Sequence, residues 1–259
     1  MPVITLTTDL GLHDYYVGAL KGAILSQMPE VTIIDITHSV PAFDIRHAAY
    51  VLKQAYPSFP RGTVHILGVN AEASSGQNYV AILCDGHYFI GTDNGIFSLL
   101  FDKVPDKIYD LGNIRQETEL MIFPLRDIFV KAACHIARGG TPEVLGMQQD
   151  DFTKLDTVQP VFTENVLHGT VIYIDSYGNS VVNITRQLFT ESIKGRKFTI
   201  EFQGEVINEI SQRYNEVSGG SILGLFNSAG LLEIAQVQDS ISRLYSLTVG
   251  SAVTIRVAE

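Results

Sequence analysis

Tryptophan is absent from this sequence and cysteine nearly so: only Cys84 and Cys134 occur. Both sit in apolar contexts, AILCDG and KAACHIA, where reduced buried thiols are found rather than a disulfide framework or a metal cluster. Basic residues are also scarce. The 18 Lys and Arg against 28 Asp and Glu leave a net charge of -10, and no basic run concentrates locally. The electrostatic footprint of phosphate-backbone binding is missing, which excludes nucleic acid as the expected partner. No uncharged apolar run reaches the roughly 18 residues of a membrane span, and the opening MPVITLTT has neither a basic leader nor a long apolar stretch. These absences predict a cytoplasmic protein with no membrane partner. What is present is an ordinary globular composition: 46% hydrophobic residues over 259 positions, enough for one large domain or two modest ones.

The first half alternates strand and helix signals. VITLTT reads as a strand, and Val17, Leu20, Ile24 and Met28 recur at helical spacing until Pro29. VTIIDIT over 31–37 follows as a buried strand, then a helix from Asp44 to Ala55, then GTVHILGV over 62–69. NYVAILCD and HYFIGTD pair around the turn at Asp85-Gly86-His87, and a helix spans 128–140, ended by two glycines. Near residue 150 the texture changes. DDFTKLDTVQPVF reads as a linker, and VLHGTVIYID, SVVNIT, KFTIEF, GLLEIA and SAVTIRV are short β runs. The predicted fold class is α/β: an N-terminal α/β domain over 1–155 with a mixed or parallel sheet, and a smaller, mainly β C-terminal domain over 160–259.

Three stretches could carry chemistry. In TTDLGLHDYY the turn after the first strand holds Asp9 and Asp14 where a phosphate loop would hold Gly, Lys and backbone donors. Either acid could cap the following helix; alternatively, a carboxylate there accepts well from the paired hydroxyls of a ribose. In IDSYGNSVVNI, Asp175, Tyr177, Gly178, Asn179 and Asn183 could form a plain turn. They could equally recognise a base and an amino acid, with Tyr177 stacking, Asn179 pairing with adenine and Asp175 taking an ammonium group. In FNSAGLLEIA, Asn227, Ser228 and Gly230 are turn residues whose backbone N–H groups could hold a carboxylate. A metal site of His13, Asp14 and Asp9 lacks further ligands at helical spacing, so no metal is expected. His38 reads as a structural histidine or one orienting Asp9, and Asp127 as a helix N-cap.

TTDLGxxDYYVGxxKG, DITHSVxxxDI, the TDNG of Thr92 to Gly95, RDIF of Arg126 to Phe129, IDxYGNxxxNI and NSxGLLEIA fall in order over almost the whole chain. That set resembles the S-adenosylmethionine hydroxide adenosyltransferase family, relatives of the fluorinating and chlorinating enzymes. The resemblance implies that Asp9 accepts both ribose hydroxyls, that Phe43 packs on the ribose, that Tyr177 and Asn179 face adenine, and that Asp175 and Ser228 hold the methionine end. It also implies S-adenosylmethionine as substrate or ligand with no other cofactor, and a homotrimer with the ligand between the N-terminal domain of one subunit and the C-terminal domain of the next.

The family activates water with an Asp, an Arg seven residues later and a His just ahead of the RD motif. Here VNAEASSGQNYVAI and IFPLRDIF place Asn70, Gln77 and Pro124 at those positions, and Leu125 stands where hydrolases carry glycine and halogenating relatives a serine. Asn70 and Gln77 can hold a water but cannot take its proton at neutral pH, and an apolar Leu125 cannot donate to a halide. Glu72 is the nearby acid that could act as a displaced base. The expectation is a member that binds S-adenosylmethionine or adenosine without the family's standard hydrolysis; the alternative is an active hydrolase with other water-activating residues, or transfer to another nucleophile.

Overall fold

Alternating Val, Thr, Ile and Leu at the N-terminus form strand β1, Val3–Thr8, buried at every residue after the first. Burial on both faces marks a central strand of a sheet covered on both sides. The structure, a computed structural model, describes residues 1–116 and 122–258. It divides into two compact units, Met1–Asp156 and Thr157–Glu259.

In the first unit, β1 is followed by α1 (Tyr16–Gln27), β2 (Thr32–Thr37), α2 (Ile45–Ala55), β3 (Val64–Gly68), β4 (Tyr79–Cys84), β5 (His87–Thr92), α3 (Ile96–Leu100), β6 (Lys107–Asp110), α4 (Gly112–Gln116), α5 (Val130–Ala137) and β7 (Gln148–Gln149). The described strands form one mixed sheet in the order β2-β1-β3-β5-β4-β6-β7. β1 pairs in parallel with β2 and β3, and β3 with β5, while β4 runs antiparallel to both of its neighbours, β5 and β6. Val17, Leu20 and Ile24 of α1 are buried, and Leu20 and Ile24 share one core layer with the α5 residues Ala132, Ala133 and Ile136. Ala48, Ala49 and Leu52 of α2 pack on the other layer with Ile96, Phe97 and Leu100 of α3. Two elements differ from expectation. β2 is a half-exposed edge strand rather than a buried one. The helix expected over 128–140 is Val130–Ala137, preceded by a single π turn over Leu125–Phe129 that Pro124 opens. Asp85 and Gly86, with φ of 56° and 76°, make the tight left-handed turn that joins β4 to β5.

The second unit contains β8 (Val161–Thr163), β9 (Val166–Ile174), β10 (Ser180–Thr185), α6 (Arg186–Ile193), β11 (Phe198–Phe202), β12 (Glu205–Ile207), β13 (Ile210–Ser211), β14 (Ile222–Phe226), β15 (Leu231–Gln236), α7 (Ile241–Leu244) and β16 (Ala252–Val257). Its sheet runs β12-β11-β16-β9-β10-β15-β14-β13, with β8 on β9. All five β runs read from the sequence are strands here. The alternating apolar residues of β9, β10, β11, β15 and β16 close one core with Phe189 and Ile193 of α6. Among the described residues no helix is long and apolar enough to cross a membrane.

Candidate functional site

Because β1, β2, β3 and β5 are parallel, their carboxyl ends share one edge of the sheet. The chain leaves β1 for β2 on one side and returns to β3 on the other, so the strand order reverses between β1 and β3. Such a switch point, at the carboxyl ends of the strands, is where open α/β sheets bind ligands. Asp9 directly follows β1 at this point and Asn70 follows β3 two residues on.

Asp9 Oδ2 accepts the backbone N–H of Phe43 at 2.9 Å and that of Asn70 at 3.3 Å. Oδ1 has no hydrogen-bond partner among the described residues. The capping role considered for Asp9 and Asp14 is not realised: Tyr15 occupies the N-cap position of α1 with no side-chain bond. Both donors to Asp9 lie in the left-handed region, Phe43 at φ 66° and Asn70 at φ 47°. Asn tolerates this conformation; for Phe it costs on the order of 1–3 kcal/mol. Phe43 is 72% exposed, so ring packing does not hold it there. Its bond to Asp9 and the following turn, in which Ile45 N–H donates to Phe43 O at 3.0 Å, do.

The loop carrying Asn70 is fixed from β5. Asn94 Nδ2 donates to Asn70 O at 3.0 Å and Val69 O at 3.3 Å, Asn94 Oδ1 accepts Ile96 N–H at 3.2 Å, and Thr92 Oγ1 donates to Ala71 O at 2.6 Å. Gln77 spends its side chain locally, its Oε1 accepting Ser74 N–H at 2.9 Å. Glu72 is exposed with no hydrogen-bond or ion-pair partner among the described residues. Leu125 is buried and fills the space over the bare Cα of Gly68, where a Cβ would collide with it. Gly68 O in turn accepts Asp9 N–H at 3.4 Å, so an apolar side chain packs over the residue that bonds the Asp9 backbone.

His38 does not touch Asp9. Its Nδ1 meets Thr8 Oγ1 at 2.7 Å and its carbonyl accepts Gly11 N–H at 2.8 Å, so it braces the turn from both sides of Asp9. Its Nε2 stands 3.1 Å from Asp35 Oδ1 but off the hydrogen-bond direction. Burial pushes the Asp35 carboxyl up, yet the hydrogen bond from Lys21 and the His38 contact more than offset it and hold it below its ordinary range. Asp127 lies inside the π turn, paired with Arg126 at 2.6 Å, and is not an N-cap. Among the described residues no cluster of three or more His, Cys, Asp or Glu could hold a metal ion.

In the second unit, Asp175, Tyr177 and Asn179 share the turn between β9 and β10. Asp175 Oδ1 accepts Tyr177 N–H at 2.9 Å and Asn179 N–H at 2.8 Å, and Oδ2 accepts Asn179 Nδ2 at 3.0 Å. Tyr177 is 79% exposed, free to meet a planar ligand. Asn183 is structural: Oδ1 accepts Thr170 N–H at 2.8 Å and Nδ2 donates to Val158 O at 2.9 Å. Ser228 is exposed in the turn between β14 and β15, where Asn227 Oδ1 accepts Ala229 N–H at 3.0 Å. Ser180 faces Ile234 and Thr185 faces Leu231, so the two turns lie at opposite ends of the β10–β15 pair. Three residues of β15 separate them, about 10 Å. Asp175 thus stands with Tyr177 and Asn179 and away from Ser228.

Sequence reasoning did not single out Glu233 and Tyr214, which lie between the two turns. Buried Glu233 accepts Tyr214 Oη at 2.5 Å and Asn227 Nδ2 at 3.1 Å. Burial, then the Glu233 hydrogen bond and charge, push the Tyr214 hydroxyl up, and the Asp175 charge adds to this. Glu233 falls within the quoted GLLEIA, but that it is a buried carboxylate emerges only when β14 and Tyr214 cover it.

The family model for the SAM hydroxide adenosyltransferase N-terminal domain matches residues 4–146, and that for the C-terminal domain matches 169–254. The chain is 32% identical to the (R)-S-adenosyl-L-methionine hydrolase of Methanocaldococcus jannaschii, over 95% of this chain and 93% of the relative. It is 30% identical to that of Thermus thermophilus, over 98% and 100%, and 24% identical to the fluorinase of Nocardia brasiliensis, over 99% and 97%. The crystal structure of a conserved protein from Thermotoga maritima superposes with a TM-score of 0.89 at 27% identity, covering 98% of this chain and 99% of that one. The chain belongs to the SAM hydroxide adenosyltransferase family.

Proposed function

We propose that this protein binds S-adenosylmethionine or its adenosine portion through Asp9, Phe43, Asp175, Tyr177, Asn179 and Ser228, and does not hydrolyse it by the family's mechanism. The carrying observation is the contrast around Asp9. The ribose-directed carboxylate is built and held by two backbone N–H groups with one oxygen left open, whereas the positions that the resemblance assigns to water activation hold Asn70, Gln77, Pro124 and Leu125. Displacement at C5' expels neutral methionine and needs no acid, so the demand falls on a nucleophile held within about 3–3.5 Å and made basic. Neither amide can take a proton, Gln77 is occupied in its own turn, and the apolar Leu125 offers a water no hydrogen bond. We assign nucleoside binding to residues 1–155 and a homotrimeric assembly to the whole, as the resemblance implies. The second reading is an S-adenosylmethionine hydrolase with other water-activating residues; the names of the two relatives at 30–32% identity and the unpaired, exposed Glu72 favour it.

Calorimetry with S-adenosylmethionine, followed by chromatographic separation of the mixture, tests the proposal. Binding heat with intact ligand after hours is expected. Adenosine above the protein-free control, abolished by Asp9→Ala, would establish the second reading. The combined variant Asn70→Asp, Gln77→Arg, Pro124→His and Leu125→Gly should gain adenosine release; if it binds the ligand and stays inert, the assignment of lost chemistry to those four positions fails.

A further inference from the structure

We infer that Asn94, together with Thr92, is a positioning residue for the Asp9 carboxylate, acting through the backbone of residues 69–71. The TDNG stretch touches no part of Asp9, and its chemistry is otherwise unexplained. Asn94 is only 8% exposed and spends its amide completely: both the Val69 and Asn70 carbonyls are held by Nδ2, and Oδ1 takes the Ile96 N–H at the start of α3. Thr92 takes the next carbonyl, Ala71 O, at 2.6 Å. Three consecutive peptide oxygens are therefore fixed by two side chains from the end of β5.

Fixing those carbonyls fixes the peptide planes between them, and so the direction of the Asn70 N–H. Asn70 adopts the left-handed conformation, φ 47°, that turns this N–H onto Asp9 Oδ2 at 3.3 Å. A single Asn populates that region only in part, so the conformation persists when its surroundings over-determine it. With Oδ2 held by Asn70 and Phe43, the carboxylate is oriented and Oδ1 is left without a partner among the described residues. Asn70 itself contributes a backbone donor here, independent of whether its side chain touches ligand. The ligand-facing part of this inference rests on the ribose reading of Asp9; the positioning part does not.

Two variants test it. Thr92→Val removes only a hydroxyl, and Asn94→Asp keeps the acceptor for Ile96 N–H while losing both donors. Amide hydrogen exchange by NMR on the free protein should show the Asn70 amide exchanging about fivefold faster in each, the value of one net hydrogen bond, with the Leu20 and Ile66 amides unchanged. Thr92→Ser, which keeps the hydroxyl, should restore the wild-type rate. Calorimetry should show adenosine affinity lower by about the same factor and 2',3'-dideoxyadenosine affinity unmoved, since the latter offers Asp9 no hydroxyl. An Asn70 amide exchanging at the wild-type rate in both variants overturns the inference, as does an equal rise at Asn70, Leu20 and Ile66, which means general loosening. If the wild type binds neither nucleoside, the proposed function fails while the exchange result still decides the positioning role.

Discussion

A carboxylate in a turn has ambiguous meaning until its partners are known. Asp9 acquires a meaning because two left-handed residues, Phe43 and Asn70, aim their N–H groups at one of its oxygens. Its expected contribution follows from charge-assisted hydrogen bonding to a ribose. Asp9→Ala should weaken adenosine binding by about 1.5–3 kcal/mol in calorimetry; an unchanged affinity would remove Asp9 from the site. Much of the proposed site was legible in residue type, since Asp9, Tyr177, Asn179 and Ser228 stand in the motifs that carry the resemblance. The roles of Thr92 and Asn94 were not, because a side chain that holds the backbone carbonyls of a neighbouring strand's loop, more than twenty residues back in the chain, leaves no periodic or compositional trace. His38 and Asn183 show the reverse. Their types suggest chemistry, and both are consumed by structural bonds.

Elements set where those residues stand. Strands β1 to β5, β9, β10, β11, β15 and β16 and helices α1 and α2 follow from apolar runs, alternation and helical spacing, and the Asp44 cap, which accepts His47 N–H at 2.9 Å, starts α2; the short β6, β7, β8, β12, β13 and β14 were not legible. The π turn before α5 was not legible: Pro124 and the packing of Leu125 against Gly68 dictate it, and that contact exists only in the folded sheet. The turn at 175–179 depends on Gly178, at φ 85°, whose carbonyl accepts Ser242 N–H at 3.0 Å from α7. A Cβ there would collide with the Ser240 side chain. Gly178→Ala should therefore cost about 1–3 kcal/mol of stability through overpacking and left-handed strain, read as a lower urea midpoint. It should also lower adenosine affinity, because the turn carries Tyr177 and Asn179. A midpoint equal to wild type would show that the turn and α7 yield without cost.

At the scale of the molecule, stability carries a pH signature from the interior of the first sheet. His65 is fully buried, with Nδ1 against Thr5 Oγ1 at 2.7 Å, Nε2 against His87 Nδ1 at 3.2 Å and its ring stacked on Phe89 at 4.9 Å. Burial, with a contribution from the facing His87, pushes it from 6.5 down to about 3. Burial and the Arg61 charge lower His87 as well, against the opposing pull of Asp85. The folded state thus keeps His65 neutral where the unfolded chain protonates it. Its contribution is fully present above pH 6.5 and is lost as pH falls from there toward about 3, by about 1.4 kcal/mol per pH unit. Urea midpoints at pH 7.5 and 5 should fall less in His65→Phe than in wild type; equal falls would mean that the pair protonates without unfolding.

By itself the sequence determined the α/β class, the family resemblance, the acidic turn after the first strand and the presence of Asn, Gln and Pro at positions 70, 77 and 124. All of these depend on residue type and near spacing along the chain. Only the tertiary structure decided that the strand order reverses between β1 and β3, that Leu125 packs over Gly68, that Asp9 is held by the loops after β2 and β3, and that Ser228 and Asp175 lie at opposite ends of the β10–β15 pair. Those are consequences of strand order and register: the hydrogen-bond partner of a side chain is whichever backbone the sheet brings beside it, and that neighbour can lie sixty residues away.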